Sequence, residues 1–265
     1  MNQKLKVCGV SYSYHSPEGE TPALSHISFT VPSGEFLAVV GPSGCGKSTL
    51  LSLLCGLIKP EEGSIFIDDI PVGEDSGNGH AKIGYMLQKD HLFEWRTIYD
   101  NAALGLEIQK KLNVRSRREL SRMLNTYGLG GFEHARPSEL SGGMRQRAAL
   151  IRTLALKPDL LLLDEPFSAL DYQTRLAVCD DISGIIRRTG KTAILITHDL
   201  SEAISVADRI LILSSRPGRI KAILPVDFPQ EYDSPLKRRN AQDFSVYFNK
   251  VWKLLQENYT ENIKR

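Results

Sequence analysis

Residues 41–49 read GPSGCGKST and combine glycines, a lysine and hydroxyl side chains in one short segment. The spacing matches G-x-x-x-x-G-K-[ST], a pattern in which backbone amides and the lysine bind nucleotide phosphates. Gly44 and Gly46 let those amides approach without interference from a Cβ atom. We expect Lys47 to reach the β- and γ-phosphates and the Ser48 hydroxyl to bind Mg²⁺. The residues assigned to this phosphate loop are Gly41, Pro42, Ser43, Gly44, Cys45, Gly46, Lys47, Ser48 and Thr49.

Two carboxylates, Asp164 and Glu165, follow a run of four leucines. Asp164 suits the role of holding the Mg²⁺ shell. Side chains alternate along a strand, but at the end of the strand Glu165 can turn toward an attacking water instead. The alternative is that the acidic pair caps the next helix. The complete phosphate loop elsewhere in the chain favours the catalytic interpretation.

His198 ends a third apolar run, TAILITHD. A lone histidine is more often structural than catalytic, but this position suits a residue that senses the γ-phosphate. Asp199 is predicted to cap the helix that follows.

A second glycine-containing loop opens the segment 139–158, ELSGGMRQRAALIRTLALKP. A helix N-terminus with free amides attracts anions. This loop has no lysine and no metal-binding hydroxyl after it, so it suits capping a phosphate that is bound elsewhere. The spacing leaves open whether that phosphate lies in the same chain or in another.

The four cysteines, Cys8, Cys45, Cys55 and Cys179, lack metal-ligand spacing and indicate reduced, cytosolic thiols. Cys45 lies within the phosphate loop and has two interpretations. It is either simply a small residue or a reactive thiol whose pKa is lowered near a helix N-terminus.

Three elements must position these groups, and each is a run that is apolar almost throughout: residues 35–44, 159–166 and 192–199. Such runs indicate strands covered on both faces, as in a parallel α/β sheet. In open α/β sheets, ligands bind at the carboxyl ends of the strands. The polar ends of all three runs should therefore meet in one crevice.

The composition is that of a globular protein, with 265 residues, 42% of them hydrophobic, and a net charge of +2. This charge gives no reason to expect a nucleic-acid partner. The N-terminus lacks the apolar core of a signal peptide, and no apolar run approaches the ~18 residues that span a bilayer. If the protein serves a membrane, we expect another chain to cross it.

These motifs together resemble the ATP-binding subunits of ABC transporters. GPSGCGKST is similar to the family's Walker A motif, LLLLDEP to Walker B with its catalytic glutamate, and LSGGMRQ (residues 140–146, here the signature loop) to the family signature. The resemblance implies a P-loop NTPase (RecA-like) α/β core with a parallel sheet, an antiparallel β-subdomain and an inserted α-helical subdomain. The implied divisions are an ATP-binding core with the β-subdomain at 1–87 and 158–225, a helical subdomain at 88–157 and a helical tail at 226–265.

The resemblance also implies roles for single residues. Glu165 is the expected general base, His198 the switch histidine and Gln88 the Q-loop residue that contacts Mg²⁺ or the lytic water. Tyr14 is the expected adenine-stacking aromatic, with Tyr12 as its competitor. The implied metal-binding residues are Ser48, Gln88 and Asp164.

In this family two subunits meet head to tail, and each ATP lies between the Walker A motif of one and the signature loop of the other. Asp171, in the D-loop sequence SALD, would then act across the dimer. The signature residues expected to face the partner's ATP are Ser141, Gly142, Gly143 and Gln146.

Residues 87–108, LQKDHLFEWRTIYDNAALGLEI, resemble the nitrate, sulfonate and taurine importer group, although Glu94 stands where proline is usual. The resemblance implies an importer ATPase at the cytoplasmic face of the cell membrane. Its expected partners are a second copy of itself or a related subunit, a membrane permease and, indirectly, a solute-binding protein. The alternative is a soluble ABC-type ATPase that is not coupled to transport. A P-loop kinase or GTPase would have no use for the signature loop.

Two further segments leave alternatives open. Phe93 and Trp95 form either core or a groove that receives a permease helix. In the tail, DFSVYFNKVWKLLQENY is predicted to form an amphipathic helix that either packs on the core or makes a regulatory or subunit contact. Its predicted apolar face consists of Val246, Phe248, Val251, Trp252 and Leu255.

Overall fold

The computed structural model describes residues 2–73 and 82–263. The predicted ranges 1–87 and 226–265 therefore each include a few positions outside the described residues. The strands are β1 (Gln3–Ser16), β2 (Gly19–Pro32), β3 (Phe36–Val40), β4 (Glu62–Ile67), β5 (Ile70–Pro71), β6 (Ile83–Met86), β7 (Leu160–Asp164), β8 (Thr192–Ile196), β9 (Arg209–Leu213) and β10 (Ile220–Pro225). The helices are α1 (Lys47–Leu54), α2 (Ile98–Ile108), α3 (Val114–Thr126), α4 (Gly142–Leu154), α5 (Tyr172–Arg188), α6 (Leu200–Val206), α7 (Pro235–Arg239) and α8 (Gln242–Ile263).

The central sheet has the strand order β10-β9-β3-β8-β7-β6. All neighbouring pairs are parallel except β10 with β9. The three apolar runs form β3, β7 and β8, which confirms the predicted parallel sheet. Both faces of these strands are buried, because Leu37 and Val39 pack on one side of the sheet and Ala38 and Val40 on the other.

A second, antiparallel sheet has the order β2-β1-β4-β5. Its inward side chains share one core with α1 and with one face of the central sheet. The predicted combination of a parallel core sheet, an antiparallel sheet and added helices is therefore confirmed.

Helices α2, α3 and α4 pack around a core of their own, which includes Leu92, Ile98, Leu120 and Ile151. Each begins at a side-chain cap supplied by Thr97, Asn113 or Ser141. Such caps satisfy amide groups that the first helical turn leaves unpaired. The helical character predicted for the middle of the chain is present, and α4 begins inside the signature loop.

Helices α1, α5 and α6 each follow the carboxyl end of a strand of the central sheet. Asp171 caps α5 by accepting a hydrogen bond from the Thr174 amide at 3.1 Å. Asp199 caps α6 as predicted, accepting from the Ser201 and Glu202 amides. The acidic pair at the end of β7 caps neither helix, so the capping interpretation of Asp164 and Glu165 is wrong.

The tail forms α8 as predicted, but its apolar face is shifted. Val251 is fully buried, and Phe248 and Leu255 pack on the core, whereas Val246 is 62% exposed and Trp252 48% exposed. Assigning Val246 and Trp252 to the buried face was therefore wrong. The buried and partly buried positions follow the helical period i, i+3, i+4, which places Val246 on the opposite side of α8, whereas Trp252 lies at the edge of the packed face. The packed positions are Phe244, Tyr247, Phe248, Val251, Leu254 and Leu255.

Among the described residues, none of the helices combines the length and apolarity needed to cross a membrane.

Candidate ATP-binding site

The phosphate loop joins β3 to α1 and is held tightly against β2. Gly46 has a φ of +101°, in the left-handed region that favours glycine. A Cβ atom at Gly46 would lie 2.9 Å from the carbonyl oxygen of Ala23 and 2.7 Å from the Leu24 side chain. The loop therefore needs glycine here for backbone conformation and for space.

Lys47 is folded back across the phosphate loop. Its Nζ donates hydrogen bonds to the carbonyl oxygens of Gly41 and Pro42, both at 2.9 Å. These contacts hold the ammonium group against the segment whose backbone is expected to surround the phosphates. Moving the ammonium to a phosphate exchanges these neutral acceptors for a charged one, which gives a stronger hydrogen bond.

Cys45 is fully buried, and burial raises the pKa of its thiol despite the nearby Lys47 ammonium. A thiol with a raised pKa contains less of the reactive thiolate. The structure therefore favours Cys45 as a small packing residue over the alternative of a reactive thiol.

The two tyrosines considered for the adenine have different environments. The Tyr14 hydroxyl lies 3.1 Å from Thr49 Oγ1 in α1, and the ring is largely accessible. Tyr12 packs against the core and meets Tyr14 edge-on, with 5.1 Å between ring centroids. Tyr14 is thus the tyrosine available to a ligand, and its stacking on adenine stays a prediction.

Asp164 ends β7 and accepts a hydrogen bond from the Tyr85 hydroxyl at 3.2 Å. Burial raises the pKa of the Asp164 carboxyl, and burial and the neighbouring carboxylate raise the pKa of Tyr85. Tyr85 therefore remains a neutral donor that orients the carboxylate. No sequence motif indicates this role of Tyr85, because the contact joins β6 to β7.

The donor set fits a Mg²⁺ ion that shares its ligands with a nucleotide. Mg²⁺ is usually held by one or two carboxylates together with substrate phosphates and water. Asp164 offers one carboxylate and Ser48 an exposed hydroxyl. Within residues 2–73 and 82–263 there is no group of three or more His, Cys, Asp or Glu that would make an all-protein metal site.

Glu165 has a φ of +44°, unusual for a residue with a side chain. Its amide donates to the Ile196 carbonyl at 2.9 Å, which fixes the chain at the end of β8. This conformation breaks the strand alternation and turns the carboxylate out of the sheet. Strained conformations of this kind are concentrated at functional sites.

Three predicted catalytic residues meet at the Glu165 carboxylate. Gln88 Nε2 donates to Glu165 Oε2 at 3.2 Å, and His198 Nδ1 lies 3.1 Å from the same oxygen. Gln88 follows β6, Glu165 follows β7 and His198 follows β8. The carboxyl ends of three strands therefore bring these side chains together in one cluster. The crevice predicted at the carboxyl ends of the strands is present.

A cavity of about 590 Å³ joins this cluster to the phosphate loop. It is lined by Gly41, Pro42, Ser43, Lys47, Glu165, His198, Leu200, Trp252 and Leu255. Trp252 and Leu255, from α8, were not predicted as site residues. None of the described residues of the signature loop lines this cavity.

The exposed residues of the signature loop are its second and third, since Leu140 at its start is buried. Ser141 caps α4 by accepting from the Met144 amide at 3.4 Å, and Ser141 and Gly142 are exposed. Gly143 is buried, and a Cβ atom there would lie 2.7 Å from the Val178 side chain. Gln146 is only 3% exposed. Direct contact of Gln146 with a partner's nucleotide stays a prediction that this burial does not support.

Arg175 links two parts of the site that sequence reasoning treated separately. Its Nη2 donates to the Leu170 carbonyl at 2.9 Å, and its Nη1 lies 3.5 Å from Asp199 Oδ2. Leu170 precedes Asp171, and Asp199 follows His198. One guanidinium therefore ties the D-loop to the segment that carries the histidine, a contact that no local motif indicates.

Comparison with known proteins agrees with this fold. Residues 24–168 match the profile of a family described as ABC transporter. The chain belongs to the ABC transporter family, and within that family it is an ATP-binding cassette, an ATPase.

Similar proteins include an uncharacterized ABC transporter ATP-binding protein of Bacillus subtilis, YtlC, at 44% identity over 95% of each chain. The taurine import ATP-binding protein TauB of Yersinia pestis is 44% identical over 86% of each chain. Among solved structures, the dimeric bacterial ABC transporter cassette MJ0796 is similar with a TM-score of 0.72 and 30% identity, covering 85% of this chain and all of that one. The chain thus resembles the nitrate, sulfonate and taurine group, as expected.

Proposed function

We propose that this chain is the ATP-hydrolysing subunit of an ABC importer and powers uptake of a small solute through a separate membrane permease. The cluster of Gln88, Glu165 and His198 carries the proposal. Glu165, the proposed base, and His198 line one cavity with the Lys47 ammonium, and Gln88 donates a hydrogen bond to Glu165. The similarity to a taurine import protein supports a role in import and not in export. The proposed location is peripheral, at the cytoplasmic face of the membrane, with a solute-binding protein as an indirect partner.

In the proposed reaction, Lys47 and the amides of the phosphate loop bind the ATP phosphates. Ser48, Asp164 and Gln88 would hold Mg²⁺, which when bound neutralises phosphate charge and orients the terminal phosphate. Glu165 accepts a proton from the attacking water, and His198 keeps the carboxylate directed into the cavity. Tyr85 holds Asp164 in position from the adjacent strand.

Closure of a head-to-tail dimer completes the proposed site. The signature loop does not line the cavity of its own chain, so its exposed Ser141 and Gly142 are free to cap the phosphate on a second copy. The dimeric assembly of the similar cassette MJ0796 supports this arrangement. A two-fold dimer forms both sites at once. We assign 1–87 and 158–225 to the ATP-binding core, 88–157 to the helical subdomain and 226–265 to the tail.

The proposed permease contact is the segment that follows Gln88. Trp95 is 71% exposed, and its ring lies 4.7 Å from that of the partly buried Phe93. Asn101 fixes the segment, because its side chain accepts from the Phe93 amide at 2.7 Å and donates to the Phe93 carbonyl at 3.0 Å. An exposed aromatic on a rigid backbone is a common anchor of protein interfaces. A helix seated here lies only a few residues from Gln88.

Replacement of Trp95 by alanine tests this contact. We expect Trp95→Ala to fold and bind ATP but to assemble about 30-fold more weakly with the permease, the loss typical of one interface anchor. Phe93→Ala combined with Trp95→Ala should abolish assembly. Co-purification with the permease of the same transport system and solute uptake measure the effect.

Ile108→Ala is the matched control, since Ile108 is 73% exposed at the other end of α2. It should leave assembly unchanged. Normal uptake in the double variant would place the permease interface elsewhere. Failure of the native chain to associate with any integral membrane protein would favour the alternative, a soluble ABC-type ATPase.

A further inference from the structure

The C-terminal helix α8 forms one wall of the ATP cavity. Trp252 and Leu255 line the same cavity as Lys47, Glu165 and His198. They lie three positions apart on α8 and therefore share a face of the helix. The wall they form is apolar, whereas the opposing side chains are polar or charged.

This helix is fixed firmly enough to define the wall. Val251 is fully buried. Tyr247 donates its hydroxyl to the Asp227 carbonyl at 2.9 Å and accepts from the Asp227 amide at 3.1 Å. Lys221 Nζ donates to the Leu254 carbonyl at 2.8 Å. These contacts anchor α8 on both sides of Trp252.

Helix α8 also packs against α6, the helix that begins two residues after His198. Leu200, Ala203 and Ile204 of α6 share a core with the buried face of α8. Leu200 in addition lines the ATP cavity. The two helices therefore make one continuous apolar wall next to the histidine.

The Trp252 ring is placed for contact with a bound molecule. It stacks on Phe248, with 6.4 Å between centroids and 14° between planes. About half of its surface, 48%, remains uncovered by the chain. Val246, another exposed apolar residue of α8, does not line the cavity. The exposed surface of Trp252 therefore faces a cavity that can hold a ligand, whereas that of Val246 does not.

We propose that Trp252 and Leu255 shield the reacting end of the ATP cavity from bulk water, so that α8 is a working part of the ATPase site. Electrostatic interactions inside a site strengthen where bulk water is excluded. Trp252 is a positioning residue in this account. The inference rests on the proposed binding of ATP at Lys47.

The intrinsic fluorescence of Trp252 tests the contact directly. The chain has two tryptophans, so Trp95→Phe leaves Trp252 as the only one. On titration of this variant with Mg²⁺ and a non-hydrolysable ATP analogue, Trp252 emission should change with the midpoint that calorimetry gives for binding. Binding without a change in emission overturns the inference alone. No binding in the native chain overturns the proposed function with it.

Kinetics test the consequence. Trp252→Ala should lower kcat about tenfold, as misplaced reactants do, while the analogue's affinity stays within about threefold. Trp252→Phe, which keeps an aromatic wall, should restore most of the rate, and Val246→Ala should have none of these effects. An unchanged or increased kcat in Trp252→Ala overturns the inference. The fluorescence test keeps Trp252 itself and decides the question if the alanine variant does not fold.

Discussion

Replacement of Lys47 by alanine should lower ATP hydrolysis by about 10²–10³-fold and weaken ATP binding, because one charged donor to the transferring phosphate is lost. In the native chain, the Lys47 ammonium contacts the carbonyl oxygens of Gly41 and Pro42 at 2.9 Å and the Cys45 sulfur at 3.9 Å, all within its own loop. Its removal leaves no buried charge unpaired, so the variant should fold normally. The defect should therefore be functional and not structural.

The measurement is steady-state phosphate release together with calorimetric titration of ATP. Lys6→Ala is a suitable control, since Lys6 is an exposed lysine in β1 of the antiparallel sheet. It should hydrolyse ATP at the native rate. Native turnover in Lys47→Ala would remove the phosphate-loop assignment, whatever the control shows.

Replacement of Glu165 by glutamine should slow hydrolysis by about 10²–10⁴-fold, the usual contribution of a general base. Glutamine has nearly the same shape and can still accept from Gln88, so the cluster should persist. It cannot accept a proton from water. ATP binding should remain, and the variant should accumulate as an ATP-bound dimer.

Single-turnover hydrolysis and sizing in saturating ATP measure the two effects separately. Glu18→Gln, at an exposed turn between β1 and β2, is the control for the chemical change. A Glu165→Gln variant that turns over at the native rate would contradict the assigned base. Loss of ATP binding in the same variant would instead give Glu165 a role in holding the nucleotide.

The parts of the site that could be predicted are those encoded in contiguous residues. The phosphate loop, the acidic pair and the signature loop each carry their chemistry within a few positions, and the apolar runs before the first two identified β3 and β7. Because parallel strands end at one edge of a sheet, the meeting of Glu165 and His198 followed from fold class alone. Local motifs were therefore sufficient to predict those site residues that lie at the carboxyl ends of parallel strands.

What the sequence did not reveal depends on contacts between distant segments. Tyr85 reaches Asp164 from the neighbouring strand, Arg175 joins the D-loop to Asp199, and Trp252 reaches the cavity from a helix in the tail. No fixed spacing of residues in the sequence indicates any of these three contacts. The error at Val246 had a different cause. Val246 was assigned to the buried face because valine is apolar, but the helical period places this position on the exposed side of α8.

The positive φ of Glu165 could not be read from sequence either. Glutamate has no preference for left-handed backbone. The turn is held by contacts between segments, because the Glu165 amide donates to the Ile196 carbonyl and the Ser168 amide and hydroxyl donate to the Glu165 carbonyl. This turn is what brings the carboxylate to Gln88 and His198. A substitution at Glu165 therefore tests chemistry only if it keeps the side-chain size.

The central claim is that each ATP site combines the phosphate loop of one chain with the signature loop of another. Ser141→Arg is the better signature variant, because Ser141 is exposed, whereas a side chain at Gly143 would meet Val178. Lys47→Ala and Ser141→Arg should each be inactive alone. In a mixed dimer, shared sites put both defects in one site and leave the other intact.

The most direct measurement is ATPase activity after equal amounts of the two variants are mixed and allowed to exchange subunits. Half of the dimers should then be mixed, each with one intact site, so about a quarter of native activity should return. As the control, a chain with both substitutions mixed with native chain should form mixed dimers that have no intact site. Activity in the first mixture no higher than that of the separate variants, with mixed dimers of the control retaining an active site, would show that each chain caps its own ATP and would contradict the account.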